Sequence, residues 1–425
     1  MPMPLNKTAS VFLPFALGYF LSYIFRVVNA VIAPDLVIDL NLNSSQLGLL
    51  TSVYFISFAS SQLALGLLLD RFGPRIINSI LLIFAGMGAL IFAQSHSLTG
   101  VIIGRAFIGF GVSACLMAAL KAYVLWFPKK MWPRINGFQM AAGGLGALAA
   151  TSPVAWLLQV TDWRGVFIGL AGLCFVVSAV LWKVVPEKAR STAPESLGQQ
   201  LKGVKQIFTS RDFWRAAPVT TMSQAGLLSI QGLWVGPWLK DVGGMDQMSG
   251  AALLSGIALS MMAGFIGLGY LAERLNQKGI PILTTAISGM TIFMVIQGFI
   301  VLEAIRMAPL LWLLFGFFGT SGILAYAGLS RQFPSQLSGR VTTAINLLVF
   351  LTAFAAQWAM GAIINLWETG VQGSYAPAGY QAAFCIMLIF QILGLLWFFI
   401  SPVIFRRQIG RQDDPAHEMR PSGKS

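Results

Sequence analysis

The sequence predicts an all-α polytopic membrane protein with twelve transmembrane helices in two pseudo-symmetric halves of six. Its 425 residues are 56% hydrophobic and only 10% charged, with a mean hydropathy of +0.74. Soluble domains carry about 25% charged residues, so the composition excludes that class. Twelve apolar runs are long enough to cross a hydrocarbon layer about 30 Å thick, which takes about 20 residues. An internal repeat relates the first six runs to the last six.

The apolar runs give the order of the spans along the chain. The first run is too long for a signal-peptide core and has no small-residue cleavage site after it, so we interpret it as an uncleaved span. The predicted spans are residues 11–33, 47–69, 76–95, 98–127, 135–159, 165–185, 213–237, 248–271, 280–301, 309–330, 341–366 and 380–405.

Basic residues sort to one side of these spans. Lysine and arginine accumulate in cytoplasmic loops, and only Arg164, Lys240 and Arg306 lie on the opposite side. The favoured side holds Lys7, Arg71, Arg75, Lys129, Lys130, Arg134, Lys188, Arg190, Arg274, Lys278, Arg340, Arg406 and Arg407. We therefore predict an inner or plasma membrane protein with both termini in the cytoplasm. The net charge is +13, but the basic residues lie between apolar runs and do not cluster on one soluble face, so they do not indicate a nucleic-acid partner.

A polar interval at residues 186–212 divides the chain. We predict an N-terminal half at 1–185, this cytoplasmic linker, a C-terminal half at 213–405 and a polar cytoplasmic tail at 406–425. Apolar residues recur within the linker at helical spacing, at Leu197, Leu201, Val204 and Phe208. The pattern predicts a helix lying in the lipid headgroups. The alternative is a nascent helix in a flexible linker.

The internal repeat has a period of about 203 residues. The pairs at this offset are Pro34 with Pro237, Asn43 with Asp246, Gly66 with Gly269, Asp70 with Glu273, and Arg71 with Arg274. After a slip of three residues, the pairs are Phe127-Pro128 with Phe333-Pro334 and Arg134 with Arg340. Matches of several kinds near one offset indicate a duplicated six-helix unit.

Three segments resemble motifs of the major facilitator superfamily. The pattern Gly-x-x-x-Asp-Arg-x-Gly-x-Arg, from Gly66 to Arg75, resembles the loop between helices 2 and 3 of that superfamily. Residues Arg105 to Gly111 resemble its helix 4 motif, Arg-x-x-x-Gly-x-Gly. Asp162-Trp163-Arg164 with Phe167 resembles the turn between its helices 5 and 6. The resemblance implies the major facilitator fold, with alternating access and a substrate held near the midplane.

The loop at Gly66 to Arg75 is predicted to act as a conformational latch. In the motif it resembles, Asp70 accepts hydrogen bonds from the start of span 11, while Arg71 and Arg75 anchor to carboxylates or headgroups. We expect Gly66 on a helix packing face and Gly73 in the turn. The second copy is formed by Gly269, Glu273 and Arg274. The latch would stabilise the outward-open state; the alternative is that these charges only set topology.

Ionisable residues inside spans are costly and usually functional. Only Arg26, Arg105 and Lys121 qualify, and no Asp or Glu lies in the core of any predicted span. Such a positive interior favours an anionic substrate. Arg26 belongs to a polar stripe at helical spacing, made of Tyr19, Ser22, Tyr23, Arg26 and Asn29. We predict that this stripe binds substrate; the alternative is an arginine that extends towards water or pairs with Asp35.

The segment Tyr23 to Asn29 resembles helix 1 of the anion:cation symporters, and sugar-phosphate antiporters also carry an arginine there. Anion symporters usually have an aspartate before this arginine, where this chain has Phe25, which argues against carboxylate coupling at that position. The coupling candidates are Arg105, Lys121 and Asp35, with a proton or Na⁺ as coupling ion. Arg105 could instead have a structural role, and Lys121 could reach cytoplasmic water.

Span 7 supplies the predicted contacts from the C-terminal half. Gln231 and Trp234 are about one turn apart and offer a polar group and a stacking surface, although aromatic residues in spans more often serve packing. Ser229 corresponds to Arg26 in the repeat. Five further polar residues in spans are candidates for the cavity lining, namely Tyr54, Gln62, Tyr326, Asn346 and Gln357.

The predicted function is secondary active transport of a small organic anion or zwitterion, most simply by uptake. The alternative is a drug or metabolite exporter, which usually has an in-span carboxylate and a Gly-Pro pair in span 5; this chain has neither. No enzyme activity, metal or other cofactor is expected, since the cysteines and histidines lack metal-ligand spacing. The expected partners are the substrate and the bilayer, and the protein is expected to be a monomer.

Overall fold

The computed structural model describes residues 8–128, 131–186, 197–302, 307–334, 337–367 and 374–412. Within these ranges the side chains of residues 8–9, 63, 67, 70, 133–134, 197–201, 338 and 403–412 are not described. The described chain is helical and contains no strand. The predictions for Lys7, Lys129, Lys130, Lys188, Arg190 and Arg306 lie outside the described residues, as do those for the side chains of Asp70 and Arg134.

Six helices form the N-terminal part. Helix 1 has three segments, a π-helical turn at Thr8–Phe12, then Leu13–Val27 and Asn29–Leu40. Helices 2 and 3 are Ser44–Phe72 and Pro74–Gln94. Helix 4 is divided into Leu98–Val112 and Cys115–Trp126, helix 5 into Trp132–Ala149 and Ser152–Leu157, and helix 6 is Trp163–Val184.

A linker helix, Leu197–Phe208, precedes six further helices. Helix 7 comprises Arg211–Ser229, a π-helical turn at Ile230–Trp234, and Val235–Asp241. Helices 8 and 9 are Gln247–Gln277 and Ile282–Val301, and helix 10 is divided into Ala308–Gly319 and Ser321–Ser330. Helices 11 and 12 are Ser338–Ile364 and Pro377–Gln412.

Each predicted span coincides with one of these helices. In the part of the chain that the structure describes, ten helices are long and apolar enough to cross a membrane. Helix 7 and helix 2, in which several side chains are not described, are outside that set.

The internal repeat recurs in the helix boundaries. Asn43 and Asp246 are equivalent N-caps, accepting hydrogen bonds from the Gln46 and Ser249 amides at 2.8 and 2.9 Å. The interruption of helix 1 at Val28 corresponds to the π-helical turn in helix 7, and the one in helix 4 corresponds to that in helix 10. The two halves therefore share their irregularities as well as their helices.

Glycines show that the bundle is closed at one end. We call the end with the loops at 41–43, 158–162 and 242–246 the distal end, and the end with Gly73 and the loop at 278–281 the proximal end. At the distal end a methyl group on Gly48 or Gly361 would crowd backbone atoms of the opposite half. At the proximal end Gly66, Gly137 and Gly269 have open space, with no described atom within 4 Å of an added methyl group. The structure thus contradicts our placement of Gly66 on a packing face.

Prolines in helices 7 and 12 create reciprocal bonds between them. Proline has no N–H, so it leaves the carbonyl four residues earlier without its helical partner. Pro218 frees the carbonyl of Trp214, which accepts the indole N–H of Trp397 at 2.7 Å. Pro402 in turn frees the carbonyl of Phe398, which accepts from the Arg215 Nε at 3.5 Å.

The linker helix packs against the C-terminal half. Ile207 is fully buried in the core formed with helices 7, 9, 10 and 11, and Gly203 lies directly against Arg340 at the start of helix 11. The predicted stripe through Val204 and Phe208 is only partly buried, so the packing face is one position away from the prediction. Helix 12 ends at Gln412, within the segment predicted as a polar tail.

Candidate substrate-binding site

Arg26 lies near the middle of helix 1, at the inner surface between the two halves. Its guanidinium carbon is 4.7 Å from the ring centroid of Tyr23, 5.7 Å from Phe58 and 5.4 Å from Phe350. Phe58 and Phe350 stack at 4.2 Å across the two halves. Aromatic faces stabilise a cation without neutralising it, so the positive charge remains available to an anion.

The guanidinium of Arg26 is incompletely bonded. It is partly exposed, while its Nε is buried and has no hydrogen-bond partner among the described residues. The hydroxyl groups of Tyr54, Tyr23 and Tyr19 are near enough to interact with it electrostatically. A planar donor fork with unused capacity matches a carboxylate, sulfonate or phosphate.

Helix 5 holds the two tyrosines of helix 1 in place. The rings of Tyr19 and Tyr23 meet edge to face at 5.0 Å, and the Tyr19 hydroxyl contacts the Met140 sulfur at 3.7 Å. A methyl group on Gly143 would lie only 2.6 Å from the ring of Tyr19. The glycine in helix 5 therefore makes the space that these rings occupy.

The C-terminal half contributes polar side chains to the same region. Asn346 on helix 11 donates from Nδ2 to the Gln62 Oε1 at 3.5 Å, across the two halves. Tyr326 on helix 10 interacts electrostatically with Arg26 and Tyr23. Asn346 and Tyr326 are both partly exposed. Tyr326 of helix 10 thus lies near Arg26 and Tyr23, and Asn346 of helix 11 joins the two halves through Gln62.

Arg105 forms a second buried cation in the N-terminal half. It is 2% exposed, and its guanidinium carbon is 4.8 Å from the ring centroid of Tyr54. Its Nε and Nη1 have no partner among the described residues. Tyr54, whose hydroxyl donates to the Ser22 carbonyl at 3.4 Å, therefore interacts with both Arg26 and Arg105.

The glycines of the helix 4 motif serve packing. A methyl group on Gly109 would overlap the carbonyl oxygen of Tyr54 in helix 2, and one on Gly111 would overlap the backbone of Ala85 in helix 3. Helix 4 is interrupted at Ser113 and Ala114, directly after these glycines. Lys121 follows the interruption and is partly exposed.

The other predicted substrate contacts are buried. Asn29 is fully buried, and its Oδ1 and Nδ2 have no partner among the described residues. Gln231 is 4% exposed. Trp234 is fully buried and donates from Nε1 to the Gln357 carbonyl at 3.2 Å, beside Gly48 and Gly361. Trp234 therefore lies in the distal contact between the halves and does not face the cavity in this conformation.

Helices 1 and 7 make the central part of the distal contact. Pro34 cannot donate to the carbonyl of Ala30, and Gly236 of helix 7 packs directly on that carbonyl. Any larger residue at Gly236 would overlap the Ala30 oxygen. This backbone contact closes the distal end.

Hydroxyl groups join helices 5 and 8 at the same level. The Ser255 Oγ lies 2.8 Å from the Thr151 Oγ1 and 2.7 Å from the Ser152 Oγ. The Ser152 amide also donates to it at 3.2 Å. Helices 2 and 11 are joined similarly, because the Ser44 hydroxyl donates to the Asn365 Oδ1 at 3.4 Å.

A vestibule of about 240 Å³ with a largely apolar lining lies outside this contact. Asp35, Lys240 and Asp246 contribute to its lining. The Asp35 Oδ2 is buried without a hydrogen-bond partner among the described residues. Asp35 follows the predicted apolar span 11–33, and burial raises the pKa of its carboxyl, an effect that Lys240 opposes. Asp35 is therefore far from Arg26 and close to the other half.

The described latch residues are exposed or partly exposed. Arg71 stacks on the adjacent Phe72 at 5.4 Å, and Arg75 lies 5.7 Å from the ring of Trp182 in helix 6. Gly73 has φ of +83°, which explains glycine in this turn. Glu273 and Arg274 of the second copy are exposed. The latch itself stays a prediction, since the Asp70 side chain is outside the described part.

Two functional features were missed by the sequence reasoning. The contact of Phe58 and Phe350 with Arg26 has no signal in the sequence, because phenylalanine in a span is ordinarily a packing residue. The reciprocal hydrogen bonds between helices 7 and 12 do have a sequence signal. Each helix contains a proline, and the other helix carries a side chain with an N–H donor. Only the three-dimensional pairing of the helices connects them.

The chain belongs to the Major Facilitator Superfamily, whose sequence model matches residues 15–357. It is therefore an integral membrane transporter with the major facilitator fold, as predicted, and not an enzyme. Its described helices agree with the twelve-helix architecture of that fold.

Several characterised and uncharacterised transporters are similar in sequence. A probable sulfoacetate transporter, SauU of Cupriavidus necator, is 26% identical over 278 residues, 62% of this chain and 64% of that protein. The transporter YybO of Bacillus subtilis is 24% identical over 87% of this chain and 89% of its own length. The hexuronate transporter of Escherichia coli strain K12 is 25% identical over 47% of this chain and half of its own length.

Solved transporter structures share the fold. A bacterial homologue of the human lysosomal transporter Spinster, in an inward-facing and unoccupied conformation, has a TM-score of 0.72 at 17% identity and covers 96% of this chain and 99% of its own. A D-xylose-proton symporter has a TM-score of 0.69 at 15% identity and covers 92% of this chain and 96% of its own.

Proposed function

We propose that this transporter takes up a small organic anion by alternating access and that Arg26 binds the anionic group. The observation that carries the proposal is the guanidinium of Arg26, which is partly exposed between the halves and lies among aromatic rings, with no carboxylate paired to it among the described residues. A cation inside a membrane requires a counter-charge. The transported anion supplies it.

The names of relatives support this substrate class. The relatives named above are a probable sulfoacetate transporter and a hexuronate transporter. Sulfoacetate and hexuronates are small anions with a carboxylate, and sulfoacetate adds a sulfonate. Both groups fit a guanidinium fork. The helix 1 resemblance to anion:cation symporters points in the same direction.

The proposed orientation follows from the distribution of charge. The proximal end carries most of the basic residues, so it faces the cytoplasm, with both termini there and the protein in the inner or plasma membrane. The conformation is then closed to the outside and corresponds to the substrate-release step of uptake. A monomer coupled to a proton or Na⁺ completes the proposal.

A thermal-stability screen of the purified transporter tests the substrate class. We expect hexuronates or small sulfonates to raise the melting temperature, because a ligand that binds only the folded protein stabilises it. Neutral sugars and amino acids serve as matched controls. Stabilisation by lipophilic cations alone would favour the exporter alternative and would overturn the anion site.

Uptake into proteoliposomes tests direction. An anion identified by the screen should accumulate when an inward proton or Na⁺ gradient is imposed, and collapsing that gradient with an ionophore should abolish the accumulation. Accumulation that depends only on an outward gradient of the same ion would indicate antiport instead of symport.

A further inference from the structure

We propose that the groove between helices 7 and 12 at the proximal end binds an anionic phospholipid. The groove has a volume of about 610 Å³ and lies on the outside of the bundle. Its apolar rim includes Trp214, Phe390 and Leu393, which are 40%, 50% and 54% exposed. The inference rests on the proposed orientation, in which this end faces the cytoplasmic leaflet.

The walls of the groove are fixed by main-chain bonds. The Trp397 indole bonds to the carbonyl that Pro218 leaves free, and the Trp214 indole donates to the Phe208 carbonyl at 2.6 Å. At the floor Gly394 faces the backbone of Val219, where a methyl group added to the glycine would lie only 3.0 Å from the Val219 Cα. A groove with hydrogen-bonded walls and a glycine at its floor is preformed. Binding of a ligand therefore does not carry the entropic cost of ordering the groove.

The depth of the groove matches one lipid leaflet. Its lining extends along helix 7 from Arg211 to Met222, a rise of about 16 Å at 1.5 Å per residue. Half of a hydrocarbon layer about 30 Å thick is about 15 Å. One acyl chain can therefore follow the groove from the headgroup level towards the midplane.

The mouth of the groove is polar and positively charged. Thr209, Ser210 and Arg211 lie there, and the exposed Lys205 is one helical turn before Thr209 in the linker helix. Arginine and serine are suited to a phosphate, and each basic residue near an anionic membrane surface contributes about 1 kcal/mol. This charge favours an anionic phospholipid over a zwitterionic one.

Native mass spectrometry of the full-length protein, titrated with phosphatidylglycerol or phosphatidylcholine, tests the proposal. We expect the first lipid adduct to favour phosphatidylglycerol. Arg211→Gln should weaken that adduct about fivefold, which corresponds to about 1 kcal/mol. Lys278→Gln, which removes an exposed charge at the same end outside the groove lining, should leave it unchanged.

A second pair of variants tests the apolar part. Leu393→Trp narrows the groove and should reduce the adduct, whereas Leu396→Trp, at an exposed position on helix 12 outside the groove lining, should not. Equal binding of both lipids, or adducts insensitive to Arg211→Gln and Leu393→Trp, would overturn the proposal. None of these results depends on transport, so the proposed lipid site and the proposed anion site can be rejected independently of each other.

Discussion

Helices 1 and 7 occupy equivalent positions in the two halves, yet they contribute different chemistry. Both are interrupted at the same level, at Val28 and at Ile230–Trp234. Helix 1 presents Arg26 to the cavity, whereas its repeat partner Ser229 is buried and donates to the Ala353 carbonyl at 3.2 Å. Helix 7 instead places Trp234 and Gly236 in the distal contact.

This difference indicates that the duplicated halves have specialised. In the proposed function helix 1 supplies the binding charge, and in the structure helix 7 supplies a surface that closes the distal end. A change in helix 1 should therefore alter affinity, and a change in helix 7 should alter the balance between conformations. The following predictions test that division.

The largest effect is expected for Arg26→Gln. Removing one member of a buried charged pair costs about 2–5 kcal/mol, so anion affinity should fall by about 30-fold or more, with normal insertion. Arg26→Lys should restore part of it, because lysine keeps the charge but not the planar fork. Binding by the purified protein measures both.

Ser229→Ala is the matched variant in the other half. It removes one buried hydroxyl at the equivalent repeat position and should change anion affinity less than about threefold. If Ser229→Ala and Arg26→Gln lowered affinity equally, the asymmetry between the halves would be wrong.

Gly236→Val should shift the conformational equilibrium. Its side chain would overlap the Ala30 carbonyl, and overpacking costs about 1–3 kcal/mol, which is about a 5- to 150-fold change in the population of the distally closed state. Labelling of a cysteine introduced at Ala251, which is 2% exposed in the closed structure, should rise with an impermeant reagent after removal of the native cysteines. Gly172→Val, where an added methyl group has open space, should leave labelling unchanged.

Asp35→Asn should reduce the effect of pH on that equilibrium. Burial raises the pKa of Asp35 in the closed state, so this state holds more protons and is favoured as pH falls through the raised pKa. As pH rises, the charged carboxylate favours opening. With Asp35 unchanged, labelling of the introduced distal cysteine should therefore increase with pH. If Asp35→Asn kept the same pH dependence, Asp35 would be excluded as the titrating group.

Ser255→Ala should have the smallest effect. Hydroxyl bonds between membrane helices average about 0.6 kcal/mol, so the distal end should open about threefold more. The control is Ser260→Ala, which removes a bond to the Leu313 carbonyl within one half and should not change the labelling.

The sequence was informative about helices and charges. All twelve helices are predicted by the apolar runs, the basic loops and the 203-residue repeat. A segment in lipid must satisfy its backbone hydrogen bonds internally, and for a segment of this length that leaves few alternatives to a helix. Arg26, with Tyr23 one turn and Tyr19 two turns away, is predicted because a charge in an apolar span is costly. Their proximity in the structure follows directly from helical spacing.

The sequence was less informative about which faces meet. The sequence predicts Trp234 in the substrate site and Gly66 on a packing face, but Trp234 closes the distal end and Gly66 has open space at the proximal end. In a transporter the same residue lies in different surroundings in each conformation. A residue pattern in the sequence therefore does not specify one structural environment. Aromatic contacts such as Phe58 with Phe350 depend on two helices from different halves.

The central claim is that Arg26 recognises negative charge. Calorimetric titration of the wild type and Arg26→Gln with a hexuronate and with the neutral sugar of the same ring tests it most directly. We predict that the wild type binds the hexuronate at least 30-fold more tightly than the sugar, as expected for about 2 kcal/mol or more, and that Arg26→Gln loses this preference. Equal discrimination by both proteins would contradict the claim.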